Sequence, residues 1–123
     1  MSGNGIVDIS RGDEDGVDVV RVEGEVDLTN ADAVQEAVEA TRTPAVVLDL
    51  TRVAYLDSSG IRAIDRGYRH LVSEQRSLFI VSPPDTPADW TFRVAGFRTD
   101  MLLASLDAAL ASAVGQARRS SDA

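Results

Sequence analysis

One stretch decides the fold of this chain: Val46-Val47-Leu48-Asp49-Leu50-Thr51-Arg52-Val53-Ala54-Tyr55-Leu56-Asp57-Ser58-Ser59-Gly60-Ile61. Residues 45–50 are almost entirely apolar and do not alternate with polar residues, which predicts a strand buried on both faces at the centre of a sheet. A short loop is expected next, and a helix is expected to begin at Gly60. An acid, two hydroxyls and a glycine therefore stand where a central strand passes into a helix.

Strands and helices are predicted to alternate outward from this stretch. The first two strands are expected to form a hairpin with a longer loop, in which the acidic residues 13–15 make a solvated tip. The order β-β-α-β-α-β-α-β-α predicts an α/β fold with a mixed sheet, because helices that cross over join parallel strands. The predicted strands are 6–10, 17–22, 45–50, 77–81 and 99–103, and the predicted helices are 31–41, 60–72, from Pro87 to just before Gly96, and from 106 to Gly115.

Several single residues carry local predictions. Gly24 is expected at a bend or bulge. Thr29 and Asn30 are both candidate N-caps, because their side-chain oxygens can accept a hydrogen bond from a free backbone N–H. Trp90 and Val94 are expected to face the core. The folded domain is expected to span residues 1–115, and residues 116–123 are expected to form a disordered tail.

Composition limits the classes of partner. The chain has 123 residues, of which 44% are hydrophobic, and this suits one folded domain. It has no cysteine, which excludes disulfides and thiolate metal sites. Its net charge of -8 makes nucleic acid a poor partner and direct membrane contact unexpected, and it favours a basic protein surface. No run approaches the roughly 20 apolar residues that cross a bilayer, so a cytoplasmic protein is predicted.

The residues around Ser58 do not form a catalytic set. A nucleophilic serine needs a base within hydrogen-bond reach. His70 is the only histidine, and on one helix it would lie roughly 18 Å from Ser58. The chain has no lysine. We therefore predict no catalytic residue and no enzyme, and a hydrolase acting through Ser58 is the least favoured alternative.

Four carboxylates could converge at one end of the sheet, namely those of Glu25, Asp27, Asp49 and Asp57. Carboxylate oxygens alone could hold magnesium weakly. Their spacing matches no established metal-binding loop, so solvation or capping is favoured and no metal site is predicted.

Two interpretations of the serines stay open at this point. Ser58 or Ser59 could cap the second helix by accepting a backbone N–H. Alternatively, Ser58 could carry a phosphate, because a helix N-terminus offers free N–H groups and the positive end of the helix dipole. Such a phosphate should leave the domain folded and change what its surface binds, since it adds charge and bulk beside Asp57.

The order and separation of these motifs resemble those of a known family. Gly24-Glu25-Val26-Asp27, a helix cap at Asn30, an apolar strand and Asp57-Ser58-Ser59-Gly60 together resemble the anti-sigma factor antagonists of the STAS domain family. The resemblance covers about residues 6–114. It implies a single STAS-like domain with a four- to five-stranded mixed sheet and helices packed largely on one side.

The resemblance also implies a function. Such antagonists bind an anti-sigma factor that is itself a serine kinase, and this frees a sigma factor for transcription. The kinase phosphorylates the serine directly after the aspartate, here Ser58, which ends binding until a serine phosphatase restores it. ATP belongs to the kinase, so no cofactor is expected in this chain. The implied partner surface comprises Glu25, Asp27, Asn30, Asp57, Ser58, Ser59, Gly60 and Arg62.

Two alternatives remain within this interpretation. Arg62 either contacts the partner, pairs with a phosphate on Ser58, or is simply solvated. The whole protein could instead be a STAS accessory subunit of a membrane transporter that has no phosphorylation switch.

Overall fold

Strands and helices follow one another in the predicted order. The computed structural model describes residues 7–97 and 99–122, and a single five-stranded sheet with four α-helices lies within those ranges. A short 3₁₀ helix (Thr99–Met101) precedes the last strand. The elements are β1 (Val7–Glu14), β2 (Val17–Val26), α1 (Ala31–Glu39), β3 (Ala45–Leu56), α2 (Ser58–Ser73), β4 (Ser77–Val81), α3 (Pro87–Val94), β5 (Leu102–Leu103) and α4 (Leu106–Asp122).

The sheet is mixed, as the alternation predicts. Its strand order is β1-β2-β3-β4-β5, with β1 antiparallel to β2 and the other neighbours parallel. The apolar run of β3 is buried from both sides because successive side chains of a strand point to opposite faces. Val46 and Leu48 join the core under α1, α2 and α3, whereas Ala45 and Val47 pack against α4. Three helices on one face and one on the other confirm the predicted α/β architecture.

The central strand is longer than its apolar part. The sequence predicts a strand end at Leu50, but β3 continues to Leu56. Its second half stays paired with β2 because β3 inserts extra residues twice. Arg21 pairs with Asp49 and Glu23 pairs with Arg52, and a second shift separates the pairs of Gly24 and Glu25. These are β-bulges, which bend a strand without ending it. Gly24 lies at the second shift with φ +104, as expected.

The first hairpin has a tighter turn than predicted. Asp15 and Gly16 alone connect β1 and β2, and both have positive φ (56 and 79). Two central residues with φ > 0 make the turn type whose twist matches a hairpin. The predicted longer loop is therefore wrong, and Asp13 and Glu14 belong to β1. Ile6 lies outside the described residues.

The inward face of α3 differs from the prediction. Trp90 and Val94 are 68% and 66% exposed, whereas Ala88 and Phe92 are fully buried. The Phe92 ring packs against that of Phe97 at a centroid distance of 5.0 Å. The prediction that Trp90 and Val94 face the core is wrong. A short helix holds one face against the sheet, and the pair at i and i+4 that occupies it here is Ala88 and Phe92.

The ends of two elements also differ. The sequence predicts that Gly115 ends the last helix, but α4 continues through it to Asp122. The predicted strand at 99–103 is reduced to Leu102–Leu103. The last two helices are capped by residue types that favour this position, since Thr86 and Ser105 accept hydrogen bonds from backbone N–H groups. The division into a domain at 1–115 and a tail at 116–123 stays a prediction.

Candidate functional site

The N-terminus of α2 is capped by Asp57. One of its carboxylate oxygens, Oδ1, accepts hydrogen bonds from Ser59 N at 2.9 Å and Gly60 N at 3.1 Å. The extended backbone of Asp57 (φ -102, ψ -175) sets this geometry. Asp57, and neither of the two serines, therefore supplies the capping oxygen. This outcome excludes the interpretation in which Ser58 or Ser59 serves as the cap.

Capping by Asp57 leaves the Ser58 hydroxyl unused. Ser58 is exposed as the first residue of α2, and its Oγ has no hydrogen-bond partner among the described residues. Ser59 is half-buried and Gly60 is buried. A Cβ added at Gly60 would lie 2.3 Å from Leu56 Cδ1 and 3.0 Å from Val26 Cγ1. Gly60 thus lets the first turn of α2 lie directly on the ends of β2 and β3.

The loop after β2 lies beside this helix start. Asp57 N donates to Val26 O at 3.3 Å, and Val26 is the register partner of Leu56. Asn30 stands at the N-cap position of α1, but its side chain makes no capping hydrogen bond to that helix. It instead braces the loop, because Oδ1 accepts from Asp27 N at 3.0 Å and Nδ2 donates to Glu25 O at 2.8 Å.

The predicted acidic residues also lie at this edge. Asp27 Oδ1 accepts from Thr29 N at 2.9 Å and from Thr29 Oγ1 at 2.6 Å, which fixes the loop conformation. Glu25 is exposed and pairs in register with Tyr55, two residues before Asp57. The structure therefore brings the ends of β2 and β3 and their acidic side chains to the same edge of the sheet as Ser58.

Arg62 lies one turn beyond Ser58 on α2. It is exposed, and no hydrogen bond or ion pair of its side chain occurs within residues 7–97 and 99–122. The next arginines differ. Arg66 donates to Gln35 Oε1 at 2.7 Å, and Arg69 pairs with Asp65, four residues earlier on the helix, at 2.9 Å.

Exposed apolar side chains near this edge were missed by the sequence reasoning. Leu28, in the loop after β2, is 78% exposed. The helix α3 also reaches this edge, because Thr91 Oγ1 donates to Leu56 O at 3.0 Å. It carries the exposed Trp90 and Val94. The sequence carries no spacing signal for the outward face of α3, because Trp90 and Val94 stand at the same i, i+4 spacing as Ala88 and Phe92.

Other candidate chemistry lies away from the site. Asp49 Oδ1 accepts a hydrogen bond from Thr51 N at 3.0 Å, so this carboxylate is hydrogen-bonded within β3. No group of three or more His, Cys, Asp or Glu side chains in the described ranges could hold a metal ion.

His70 lies near the far end of α2, 3.6 Å from Glu74. The hydrogen bond from Arg76 lowers the pKa of Glu74 below its usual value. On α3, the hydrogen bond to Asp89 raises the pKa of Arg93.

The sequence also matches a family model. The model of the STAS domain matches residues 11–113. The chain belongs to the STAS domain family. Its architecture, a mixed five-stranded sheet flanked by helices within the described ranges, agrees with this membership.

Several solved structures are similar to this one. An anti-sigma factor antagonist from Mycobacterium paratuberculosis is 28% identical, with a TM-score of 0.78 over 92% of this chain and 98% of that chain. The Bacillus cell fate determinant SpoIIAA in its phosphorylated form is 15% identical, with a TM-score of 0.65 over 85% and 98%. A sulfate transporter family protein from Wolinella succinogenes is 17% identical, with a TM-score of 0.69 over 87% and 92%. The last two show the fold alone.

Two negative findings stand beside the family match. No curated protein gives a significant match to the chain. Among the helices that the structure describes, none combines the length and the apolar character that a bilayer crossing requires.

Proposed function

We propose that this STAS domain is an anti-sigma factor antagonist that phosphorylation of Ser58 switches off. It binds an anti-sigma factor serine kinase in the cytoplasm and thereby frees a sigma factor. A serine phosphatase returns it to the binding form. The chain itself is not an enzyme in this scheme, and ATP is bound by the kinase. The similarity to the mycobacterial antagonist, over nearly the whole of both chains, supports this assignment.

One observation carries the choice of Ser58. Its hydroxyl is exposed and makes no hydrogen bond within the part of the chain that the structure describes, because the Asp57 carboxylate already satisfies the N–H groups of Ser59 and Gly60. A kinase can therefore phosphorylate this hydroxyl without breaking a hydrogen bond of the folded domain. A protein of the same fold, SpoIIAA, is known in a phosphorylated form.

The same geometry explains why a phosphate would end binding without unfolding the domain. The N-terminal end of α2 carries the positive end of the helix dipole, which favours a phosphate there. In a complex the phosphate would have to lose its hydration at the edge that also carries Glu25, Asp27 and Asp57. Burial of this charge beside three carboxylates is costly, so the complex is destabilised more than the free domain.

Phosphorylation by a kinase partner tests the site. The purified chain is incubated with ATP and a candidate anti-sigma factor kinase, and intact mass is measured before and after. We expect a single added phosphate in the wild type and in Ser59→Ala, and none in Ser58→Ala. Undiminished phosphorylation of Ser58→Ala would refute the assignment. Ser59 is the matched control because it is the neighbouring hydroxyl on the same turn.

Binding tests the switch. Ser58→Asp should weaken kinase binding at least tenfold, measured by calorimetry, and should leave the thermal midpoint nearly unchanged. Ser10→Asp adds the same charge at an exposed position of β1 and should bind like the wild type. If both variants bind equally well, the switch is wrong.

The transporter accessory subunit remains the second candidate, favoured by the likeness to the Wolinella protein. That protein and this one share only the fold at 17% identity. If the protein is an accessory subunit without a switch, its Ser58→Ala and Ser58→Asp variants should bind the membrane partner with the same affinity. Copurification with membrane components and no added phosphate would favour it.

A further inference from the structure

We propose that Arg62 is the intramolecular partner of the phosphate on Ser58, so that phosphorylation withdraws this cation from the docking surface as it adds negative charge. The inference rests on the proposed function, since it takes Ser58 as the phosphorylated residue. It assigns to one arginine a different role in each state of the switch. In the unmodified protein Arg62 is free to meet an acidic group of the partner.

The helix geometry places the two side chains together. Ser58 is the first residue of α2 and Arg62 follows four residues later, so their Cα atoms lie about 6 Å apart along the axis. Side chains of a helix tilt toward its N-terminus, so a residue covers the turn before its own Cα. A phosphate on Ser58 and the Arg62 guanidinium would therefore stand at neighbouring i and i+4 positions, within reach of each other.

Arg62 is the arginine of α2 nearest to Ser58, and within residues 7–97 and 99–122 its side chain has no competing partner. Arg66 is already held by Gln35 at 2.7 Å and lies 3.6 Å from the Asp32 carboxylate, and Arg69 is paired with Asp65. Arg62 is exposed and makes no such contact within the described residues. It borders an open groove between α2 and the segment 95–97.

Arg62 does not stabilise α2 in the unmodified protein. A cation near a helix N-terminus opposes the dipole, which favours anions there. A phosphate on Ser58 reverses this relation, because a guanidinium can donate two parallel hydrogen bonds to phosphate oxygens. Phosphorylation thus supplies the anion that this arginine lacks.

The other charges around Ser58 act in the opposite direction or are already paired. The Asp57 carboxylate caps the same turn, and Glu25 and Asp27 lie on the adjacent end of β2. All three disfavour the second ionisation of a phosphate. On α3, Arg93 is bound to the buried Asp89 at 2.8 Å. Arg62 is therefore the side chain expected to act with the positive end of the α2 dipole in keeping the phosphate dianionic near neutral pH.

The test uses protein that carries phosphoserine at position 58 from its synthesis, so no kinase is needed. The second pKa of the phosphate is measured by ³¹P NMR titration in the wild type, Arg62→Gln, Arg62→Lys and Arg69→Gln. Arg69→Gln removes the same charge from the same helix at a position about 16 Å from Ser58 along the axis, which is beyond the Debye length at physiological ionic strength. It is the matched control for net charge.

We expect Arg62→Gln to raise the phosphate pKa by about 0.5, and the difference to shrink in 1 M salt, where screening is stronger. Arg62→Lys should stay close to the wild type and Arg69→Gln should be indistinguishable from it. An Arg62→Gln value equal to the wild type, or an equal rise in Arg69→Gln, would overturn the pairing. Either result is independent of whether a kinase phosphorylates Ser58, so it can be told apart from failure of the proposed function.

Discussion

Replacement of Gly60 by alanine should destabilise the domain even though alanine is the better helix former. In the interior of a helix, alanine is favoured over glycine by about 1 kcal/mol. At this position, however, the new Cβ would lie 2.3 Å from Leu56 Cδ1 and 3.0 Å from Val26 Cγ1. Leu56 and Val26 are 2% and 1% exposed, so neither side chain can move into solvent.

The sign of the effect follows from these two terms. Overpacking of a filled core costs about 1–3 kcal/mol and occasionally more. The cost at Gly60 should fall at the upper end of this range, because the closest contact is with the buried side chain of Leu56 at the end of β3. After the helix propensity gain, we expect a net loss of about 1–2 kcal/mol in the free energy of unfolding.

Gly115→Ala is the matched control. Gly115 lies inside α4, and a Cβ there would have Arg119 Nη1 as its nearest neighbour at 3.5 Å, an ordinary contact. This variant should gain about 0.5–1 kcal/mol from helix propensity alone. The two changes are chemically identical, so opposite signs isolate the packing of α2 on the strand ends.

The assay is urea unfolding followed by far-UV circular dichroism, since the exposed Trp90 is a poor fluorescence reporter of burial. Leu56→Val, which removes the clashing methyl group, should make Gly60→Ala less costly than in the wild-type background. A Gly60→Ala protein as stable as the wild type, with Gly115→Ala stabilised, would refute the close packing of this turn.

Three further outcomes are expected. Asp57→Ala should lose about 1–2 kcal/mol of unfolding free energy with its two capping hydrogen bonds, and Ser58→Ala should stay within about 0.5 kcal/mol of the wild type in the same urea assay; the reverse ranking would restore a serine cap. Trp90→Ser should also stay within about 0.5 kcal/mol, since the side chain is exposed; a loss of several kcal/mol would return it to the core. The hydrogen bond from Arg76 lowers the folded-state pKa of Glu74, so its stabilisation is present above the ordinary value of 4.5 and is lost as the pH falls through the folded value. Glu74→Gln should therefore flatten the thermal midpoint against pH in the acid range, and an unchanged slope would contradict this.

Much of the architecture could be predicted from local pattern. The apolar run at 45–50 predicts the central strand, and alternation of strands and helices predicts a mixed sheet, because burial on two faces leaves a direct mark on sequence. The end of α3 just before Gly96 is likewise predicted from the sequence, since glycine is favoured directly after a helix.

Errors arose where the deciding contacts are distant in sequence. The polar pattern after Leu50 predicts a strand end there, but pairing with β2 through two bulges carries β3 to Leu56. The outward face of α3 depended on which side chains meet the sheet, and periodicity over eight residues could not distinguish Phe92 from Trp90 as the buried aromatic.

The sequence by itself determined that Asp57, Ser58, Ser59 and Gly60 stand where a buried strand enters a helix, and that no base is available to make a serine nucleophilic. It could not say which oxygen caps the helix, because an aspartate and two serines in succession can all do so. The tertiary structure decided this. Pairing of Leu56 with Val26 and the close approach of Gly60 fix the backbone so that the Asp57 carboxylate reaches the free N–H groups, and the Ser58 hydroxyl is left exposed.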